Sequence, residues 1–454
     1  MHAELFYTIE SVHPVPLYLI SQKQWEKLSS MLTTIERNYF IQAQFNGKIG
    51  EYCLLYNADG LLEKAYVGTE DENQALAMAH AALLLPANSY QLQGTCSQEA
   101  ALFWGLAQYR FEKYKKDRVT PRILIIEPQM FTDLIHLAQA HFLVRDLINQ
   151  PASDMGPKEM ADTVEQLAEE HHAQFEQCIG DELLHANYPA IHAVGRAAKS
   201  EPRLLSLTWG DETNPRVTLV GKGVCFDTGG LNLKSPYGMR IMKKDMGGAA
   251  HVIGLAQWIM KRNLPIRLHL LIPAVENAIG PNAFKPGDIL IMRNGFTVEI
   301  DNTDAEGRLI LADALVKACE EKPDLLIDFA TLSSAARVSV GTEMSAFFAN
   351  DESLAAEIID ASYKTADPVW RLPLFAPYEK FLQSTIADMI NCSDYPYAGA
   401  IIAALFLQRY ISKTTPWAHF DIMAWSEQSK PGKPEGGEAM GLRAIIEYLL
   451  RRYG

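Results

Sequence analysis

An α/β fold, with a mostly parallel sheet covered by helices on both faces and a smaller α/β domain in front of it, is predicted by three features of the sequence. Short bounded apolar runs alternate with stretches of helical periodicity, the runs are aliphatic in the manner of strands buried on both faces, and 454 residues exceed what one ordinary core accommodates. An apolar share of 48% against 21% charged residues excludes a disordered or fibrous chain. The formal charge of -14 comes without any block of Lys and Arg, which argues against nucleic acid as a partner.

The first 140 residues pair strand-like runs, EYCLLYN (51–57) and PRILIIE (121–127), with the helical patterns ALAMAHAALLL (75–85) and ALFWGLAQYRFEKY (101–114). They read as a small N-terminal α/β domain, 1–140, whose polar residues form no compact constellation and whose role is framing or assembly. The start, MHAELFYTIESVHPVPLYL, lacks the charged, apolar and small-residue sequence of an export signal. No run approaches 18 uninterrupted apolar residues, so no membrane partner is expected. Cys53, Cys96, Cys178, Cys225, Cys319 and Cys392 are scattered without CxxC spacing, which predicts reduced thiols in a cytoplasm and no thiolate zinc site.

Residues 141–185 read as a connecting helical segment, interrupted by Pro151 and by Pro157, which suits the first turn of the helix that follows. His171 and His172 are neighbours, hence on different faces of that helix, and read as its solvated end. From 186 to 454 the alternation is strongest. LLSLTWG (204–210), RVTLVGKGV (216–224), RLHLLIPAV (267–275) and DLLIDFATL (324–332) are the strand-like runs. GGAAHVIGLAQWIMKR (247–262) and GRLILADALVKACEEK (307–322) are the helical ones, with Leu309, Ala312, Leu315, Val316 and Cys319 on one face of the second. Ligands of such sheets gather beyond the carboxyl ends of the strands, where Asp227 follows a strand and Asp304 with Glu306 precedes a helix.

Asp227, Asp245, Asp304 and Glu306 lie on two Gly-rich segments that also carry Lys222, Lys234 and Arg308. Four acids brought together repel, and divalent cations are the simplest way to make them compatible. Asp304 and Glu306 are two apart, as in an extended segment with both side chains on one side. The acids of the first segment converge only by folding of loops, which Gly229, Gly230, Gly247 and Gly248 permit. Oxygen donors without histidine suit Mn²⁺, Mg²⁺ and Zn²⁺, and a pair of ions activates water and stabilises developing negative charge. Beside cations Lys222 is expected to serve as a neutral amine ligand. Lys234 is expected to stay protonated and polarise a scissile carbonyl, and Arg308 to hold a small anion such as bicarbonate. VGKGVCFDTGG lacks GxxxxGK[ST], which argues against a phosphate-cradling loop.

NTDAEGRL (302–309), GKGVCFDTGG, the lysine of LNLKS, KKDMGGAA, ENAIGPNAFKPGD (276–288), WRLPL, PWAHFDI and GGEAMGLR together resemble the leucyl aminopeptidase, or cytosol aminopeptidase, family of metallopeptidases, M17. The match starts at RDLINQP (145–151) and is looser before it. The resemblance implies that 186–454 is the catalytic domain. It implies one ion held by Lys222, Asp227, Asp245 and Glu306, and a more exchangeable one held by Asp227, Asp304 and Glu306 with the Asp304 backbone oxygen. The ions implied are Mn²⁺ or Zn²⁺, with Mg²⁺ or Co²⁺ as alternatives. Lys234 matches the catalytic lysine and Arg308 the residue that binds bicarbonate. The implied activity removes an N-terminal residue, leucine or similar, from short peptides with a free N-terminus, in a homohexamer built from two trimers. Met242, Thr331, Leu332, Ser334 and Met423 fall at substrate-binding positions. Ser334 replaces the usual glycine and DIMAW replaces DIAG, so that Met423 and Trp425 reshape the pocket.

His419 reads as a structural hydrogen-bonding residue, His251 and His269 as satisfied in packing, and Trp370 and Trp417 as core anchors. Two other function classes fit less well. The acidic balance disfavours DNA binding, and a two-metal phosphoesterase would need more phosphate-facing cations than Arg308 alone.

Overall fold

The computed structural model describes residues 2–70, 73–116 and 119–454. The chain forms two compact units, Met1–Phe142 with Ser426–Glu435, and Leu143–Trp425 with Gly436–Gly454. Among the described residues no helix is long and apolar enough to cross a membrane. All six cysteines are free thiols.

The first unit is built on a six-stranded sheet in the order Tyr7–Thr8, Ile123–Ile125, Ser89–Leu92, Val15–Ser21, Leu62–Thr69, Tyr52–Tyr56. Its strands are parallel except for the hairpin partner Tyr52–Tyr56. The helices Gln74–Leu84 and Gln98–Gln108 start where Asn73 and Ser97 accept the backbone N–H of Leu76 and Ala100 at 3.1 Å each. Their small residues pack closely around Trp104, which is fully buried and donates its indole N–H to the Arg122 carbonyl at 3.0 Å.

The second unit carries the larger sheet. Its order is Val369–Arg371, Ser345–Ala349, Trp417–Asp421, Leu325–Ala330, Arg216–Gly221, Arg267–Asn277, Arg203–Trp209, Gln174–Ile179. The strands from Trp417–Asp421 to Arg267–Asn277 run parallel, and antiparallel pairing is confined to the flanks. Arg216–Gly221 pairs with the first half of Arg267–Asn277, after which Gly223–Asp227 takes over beside its second half. The chain changes neighbours at Lys222, whose backbone N–H bonds instead to the Phe329 carbonyl at 3.0 Å.

Both faces of the sheet are covered. At Gly221 the backbone lies against Ala249 and Val252 of the helix Gly247–Arg262, while Val220, on the opposite face, joins a core with Leu309, Ala312 and Leu315 of the helix Gly307–Glu320. Pro157 occupies the first turn of the helix Pro157–His171, as its fixed φ predicts. That helix ends on exposed His172 at a left-handed φ of 55°, while His171 is half-buried rather than solvated.

Trp417 is fully buried, but Trp370 is 55% exposed and does not anchor the core. Alternation along the short edge strand Val369–Arg371 turns Val369 inward and Trp370 outward.

Candidate metal centre

The site lies beyond the carboxyl ends of the parallel strands. Asp227 ends Gly223–Asp227, Asn277 ends Arg267–Asn277, Thr331 follows Leu325–Ala330 and Asp421 ends Trp417–Asp421. Each acid is fixed by short-range bonds. The Gly229 N–H donates to Asp227 Oδ1 at 2.8 Å, which also accepts Asn277 Nδ2 at 2.8 Å. The same Asn277 amide reaches Glu306 Oε2 at 3.3 Å. Thr331 Oγ1 donates to Asp245 Oδ1 at 2.7 Å.

Asp227, Asp245 and Glu306 are buried, and each offers an oxygen within 4.8 Å of the other two. Lys222 Nζ lies 2.7 Å from Asp245 Oδ2, 3.1 Å from Glu306 Oε1 and 2.9 Å from the Thr331 carbonyl. Lys234 Nζ lies 2.7 Å from Asp227 Oδ2 and also pairs with Asp304. Asp304 therefore joins the cluster through Lys234 and stands outside the tight trio.

Asp304 does not sit in an extended segment. Residues 303–304 form a turn, closed by the Asp304 N–H bonding to Asn302 Oδ1 at 2.8 Å, and Glu306 already has helical dihedrals as the residue before Gly307–Glu320. The two side chains consequently part, Glu306 to Lys222 and Asp304 to Lys234. Asn391 holds this turn in place: its Oδ1 accepts the N–H groups of Asp301 at 2.9 Å and Asn302 at 3.2 Å, and its carbonyl accepts Arg308 Nη1 at 2.7 Å. The close approach requires Gly307, where a Cβ would meet Lys222 Cε at 2.4 Å. Gly230 turns the preceding loop at a φ of +63° and packs against Asn277 and Thr303.

Burial first, then mutual repulsion, pushes the Asp227 and Glu306 carboxyls up from their ordinary values, against the pull of Lys222 and Lys234. Burial likewise raises Asp304. For Lys222 and Lys234, burial opposes the charge, but the surrounding carboxylates outweigh it and push both amines above the ordinary lysine value; a cation held by the same carboxylates would reverse that balance at Lys222 and free its amine as a donor. Four acids thus face two ammonium groups, and a donor set of carboxylate oxygens, an amine and backbone carbonyls without histidine fits hard divalent cations. Buried Arg308 keeps an Nε with no hydrogen-bond partner among the described residues.

Of the pocket positions, Thr331 joins the centre directly through Asp245 and Lys222. The Leu332 and Ser333 N–H groups both donate to Asp421 Oδ1 at 3.0 Å. Ser334 is exposed at the start of the helix Ser334–Val340, Met242 is half-buried at the start of the turn Met242–Met246, and buried Met423 places its sulfur 3.7 Å from Arg337 Nη1. Asn277, Asn391 and Asp421 were not singled out from sequence. Asn277 sits within ENAIGPNAFKPGD, so its string was visible though its contacts were not. His419 Nδ1 meets Asp328 Oδ1 at 2.6 Å in the interior, and His251 accepts the Met440 N–H at 2.8 Å, both structural bonds.

Comparison with known proteins places these residues in context. A family model described as the cytosol aminopeptidase family, catalytic domain, matches residues 142–446, and one described as the M17 aminopeptidase, N-terminal domain, matches 15–126. A probable cytosol aminopeptidase of Clostridium perfringens is 37% identical over 402 residues, 84% of this chain and 81% of the relative. The crystal structure of the cytosol aminopeptidase from Coxiella burnetii superposes with a TM-score of 0.95 at 44% identity, covering 99% of each chain. The bottromycin maturation enzyme BotP in complex with Mn gives a TM-score of 0.87 at 31% identity, covering 97% of this chain and all of the other.

Proposed function

Because this chain belongs to the M17 cytosol aminopeptidase family, and is a metal-dependent aminopeptidase, we propose that it removes the first residue, leucine among those accepted, from short peptides at a two-metal centre. The observation that carries this reading is the buried trio Asp227, Asp245 and Glu306, with Lys222 and Lys234 against it. Lys222, Asp227, Asp245 and Glu306 would hold one ion. Asp227, Asp304 and Glu306, with the Asp304 backbone oxygen, would hold the other. Mn²⁺ is the first choice, supported by the Mn complex of BotP, with Zn²⁺, Mg²⁺ or Co²⁺ as alternatives. When bound, the two cations supply Lewis acidity and an activated water at neutral pH.

The residues around them do the positioning. Asn277 and Thr331 fix which carboxylate oxygens face inward. Lys234, held protonated by its acidic neighbours, donates to the scissile carbonyl oxygen as negative charge develops there. The unpartnered Nε of Arg308 would hold a small anion such as bicarbonate, which would supply a base beside the centre. Met242, Thr331, Leu332, Ser334 and Met423 form the pocket for the first residue. The assembly proposed is a hexamer of two trimers in the cytoplasm, consistent with free thiols and with exposed Trp370, Phe375 and Tyr397 awaiting cover.

The test compares Leu-Gly-Gly with its N-acetylated form. Leucine should be released from the free peptide alone, chelator should stop the release and Mn²⁺ should restore it. Equal rates on both peptides would exclude an exopeptidase.

A further inference from the structure

Ala424 is fully buried and holds a left-handed backbone conformation, with φ at 53°. A Cβ makes that conformation unfavourable, and glycine is the residue that adopts it without penalty. Alanine adds only a methyl group, so the use of the side chain lies in what that methyl touches. The backbone is fixed on both sides of it. Ile422 donates its N–H to the Ala330 carbonyl at 2.9 Å, and the Ala424 carbonyl accepts the Glu438 N–H at 3.2 Å. Glu438 is itself held by buried Arg145 at 2.9 Å.

The methyl seats against the turn that carries Asp245. A Cβ added at Gly247, two residues after Asp245, would stand 2.5 Å from Ala424 Cβ and 3.2 Å from Thr331 Cγ2, so two methyl groups close over the bare backbone of Gly247. Thr331 Oγ1 lies within hydrogen-bond reach of Asp245 at both Oδ1, 2.7 Å away, and the backbone carbonyl, 3.1 Å away. The neighbouring Gly248 already rests on the Phe329 carbonyl, where a Cβ would stand at 2.0 Å. The start of the helix Gly247–Arg262 is therefore gripped between the end of a sheet strand and Ala424, and Asp245 rides on the turn that runs into it.

We infer that Ala424 is a positioning residue of the metal centre: its methyl group wedges the Gly247 backbone and the Thr331 methyl, and so holds the Asp245 carboxylate where the ion shared with Lys222 needs it. The inference rests on the two-metal reading above. A methyl can be supplied to this contact from either side, but not from both at once.

The test is a cycle of three variants of the full-length protein, Ala424→Gly, Gly247→Ala and the two combined, titrated calorimetrically with Mn²⁺ and melted in chelator. Ala424→Gly should weaken Mn²⁺ binding by about tenfold or more, the scale set by groups that support a metal ligand. Its midpoint in chelator should stay within about 2 °C of wild type, because relief of the left-handed backbone offsets the lost methyl packing. Gly247→Ala alone sets two Cβ atoms 2.5 Å apart, neither of which can rotate away, so the turn must move and binding should fall at least as far. The combined variant places the methyl on the other side of the same contact. It should bring the affinity back to within about threefold of wild type, a non-additive result that independent damage at two sites does not give. Should Gly247→Ala not fold alone, Ala424→Gly and the combined variant carry the test.

Wild-type affinity in Ala424→Gly would overturn the proposal, as would a combined variant that does not fold or binds no better than Ala424→Gly. Weaker binding in Ala424→Gly together with a much lower midpoint in chelator would also overturn it, since the methyl would then serve the fold at large. A wild type that binds no Mn²⁺ would instead overturn the two-metal reading, and this proposal with it.

Discussion

Lys222 and Asp245 meet ammonium to carboxylate at 2.7 Å, each side chain 4% exposed. This pair closes the side of the acid cluster nearest the sheet, because Lys222 sits where the chain passes from one strand to the next. Lys222→Met should leave Asp245 and Glu306 buried without their counter-ion and lower the unfolding free energy of the metal-free protein by about 3 kcal/mol. Urea unfolding in chelator checks this, and Mn²⁺ should recover part of the loss. An unchanged midpoint in chelator would mean the pair contributes nothing.

Gly307→Ala should leave the fold intact yet weaken metal binding. The added Cβ meets the flexible end of Lys222, at 2.4 Å from Cε and 2.7 Å from Nζ, so the lysine yields while the backbone stays. Isothermal titration with Mn²⁺ should show an affinity lower by at least about tenfold, on the scale of losing one supporting group of a metal site. Circular dichroism should match that of the wild type.

Lys234→Ala should lower kcat on Leu-Gly-Gly by about 10²–10³, the usual worth of one oxyanion donor, with a smaller effect on KM. Steady-state kinetics at saturating Mn²⁺ separates the two. A change confined to KM would assign Lys234 to binding alone.

Glu321 supplies a pH signature away from the site. Its carboxylate oxygens lie 3.0 Å from His269 Nδ1 and 3.0 Å from Lys317 Nζ, and these two neighbours, His269 first, pull its carboxyl from 4.5 down to about 2. A depressed acid stabilises the fold above its unfolded pKa and loses that contribution as pH falls through the folded one. Glu321→Gln should therefore cost about 1 kcal/mol at pH 7, after discounting for solvent screening of a half-exposed group. The gap between variant and wild type should narrow from pH 4.5 toward pH 3; a gap independent of pH would contradict the assignment.

The sheet and its helices were legible because their signals are local. Bounded aliphatic runs marked the strands, and GGAAHVIGLAQWIMKR coincides with the helix Gly247–Arg262. The acids were legible as a set through their glycines and spacing. Their arrangement was not: Asp304 and Glu306 point to different lysines because a turn held by Asn302 and Asn391 intervenes. Asn277, 50 residues from Asp227, and Asn391, 83 from Arg308, act through bonds that only the folded chain brings within reach. Trp370 shows the same limit, since large apolar residues predict burial and an edge strand with one face turned outward overrides it.

Crystals of the protein grown with Mn²⁺ and measured at the manganese absorption edge test the two-metal centre most directly. Two anomalous peaks are expected, both in contact with Asp227 and Glu306, one reaching Lys222 and Asp245 and the other Asp304. Peaks elsewhere, or a protein that binds no divalent ion in saturating Mn²⁺, would contradict it.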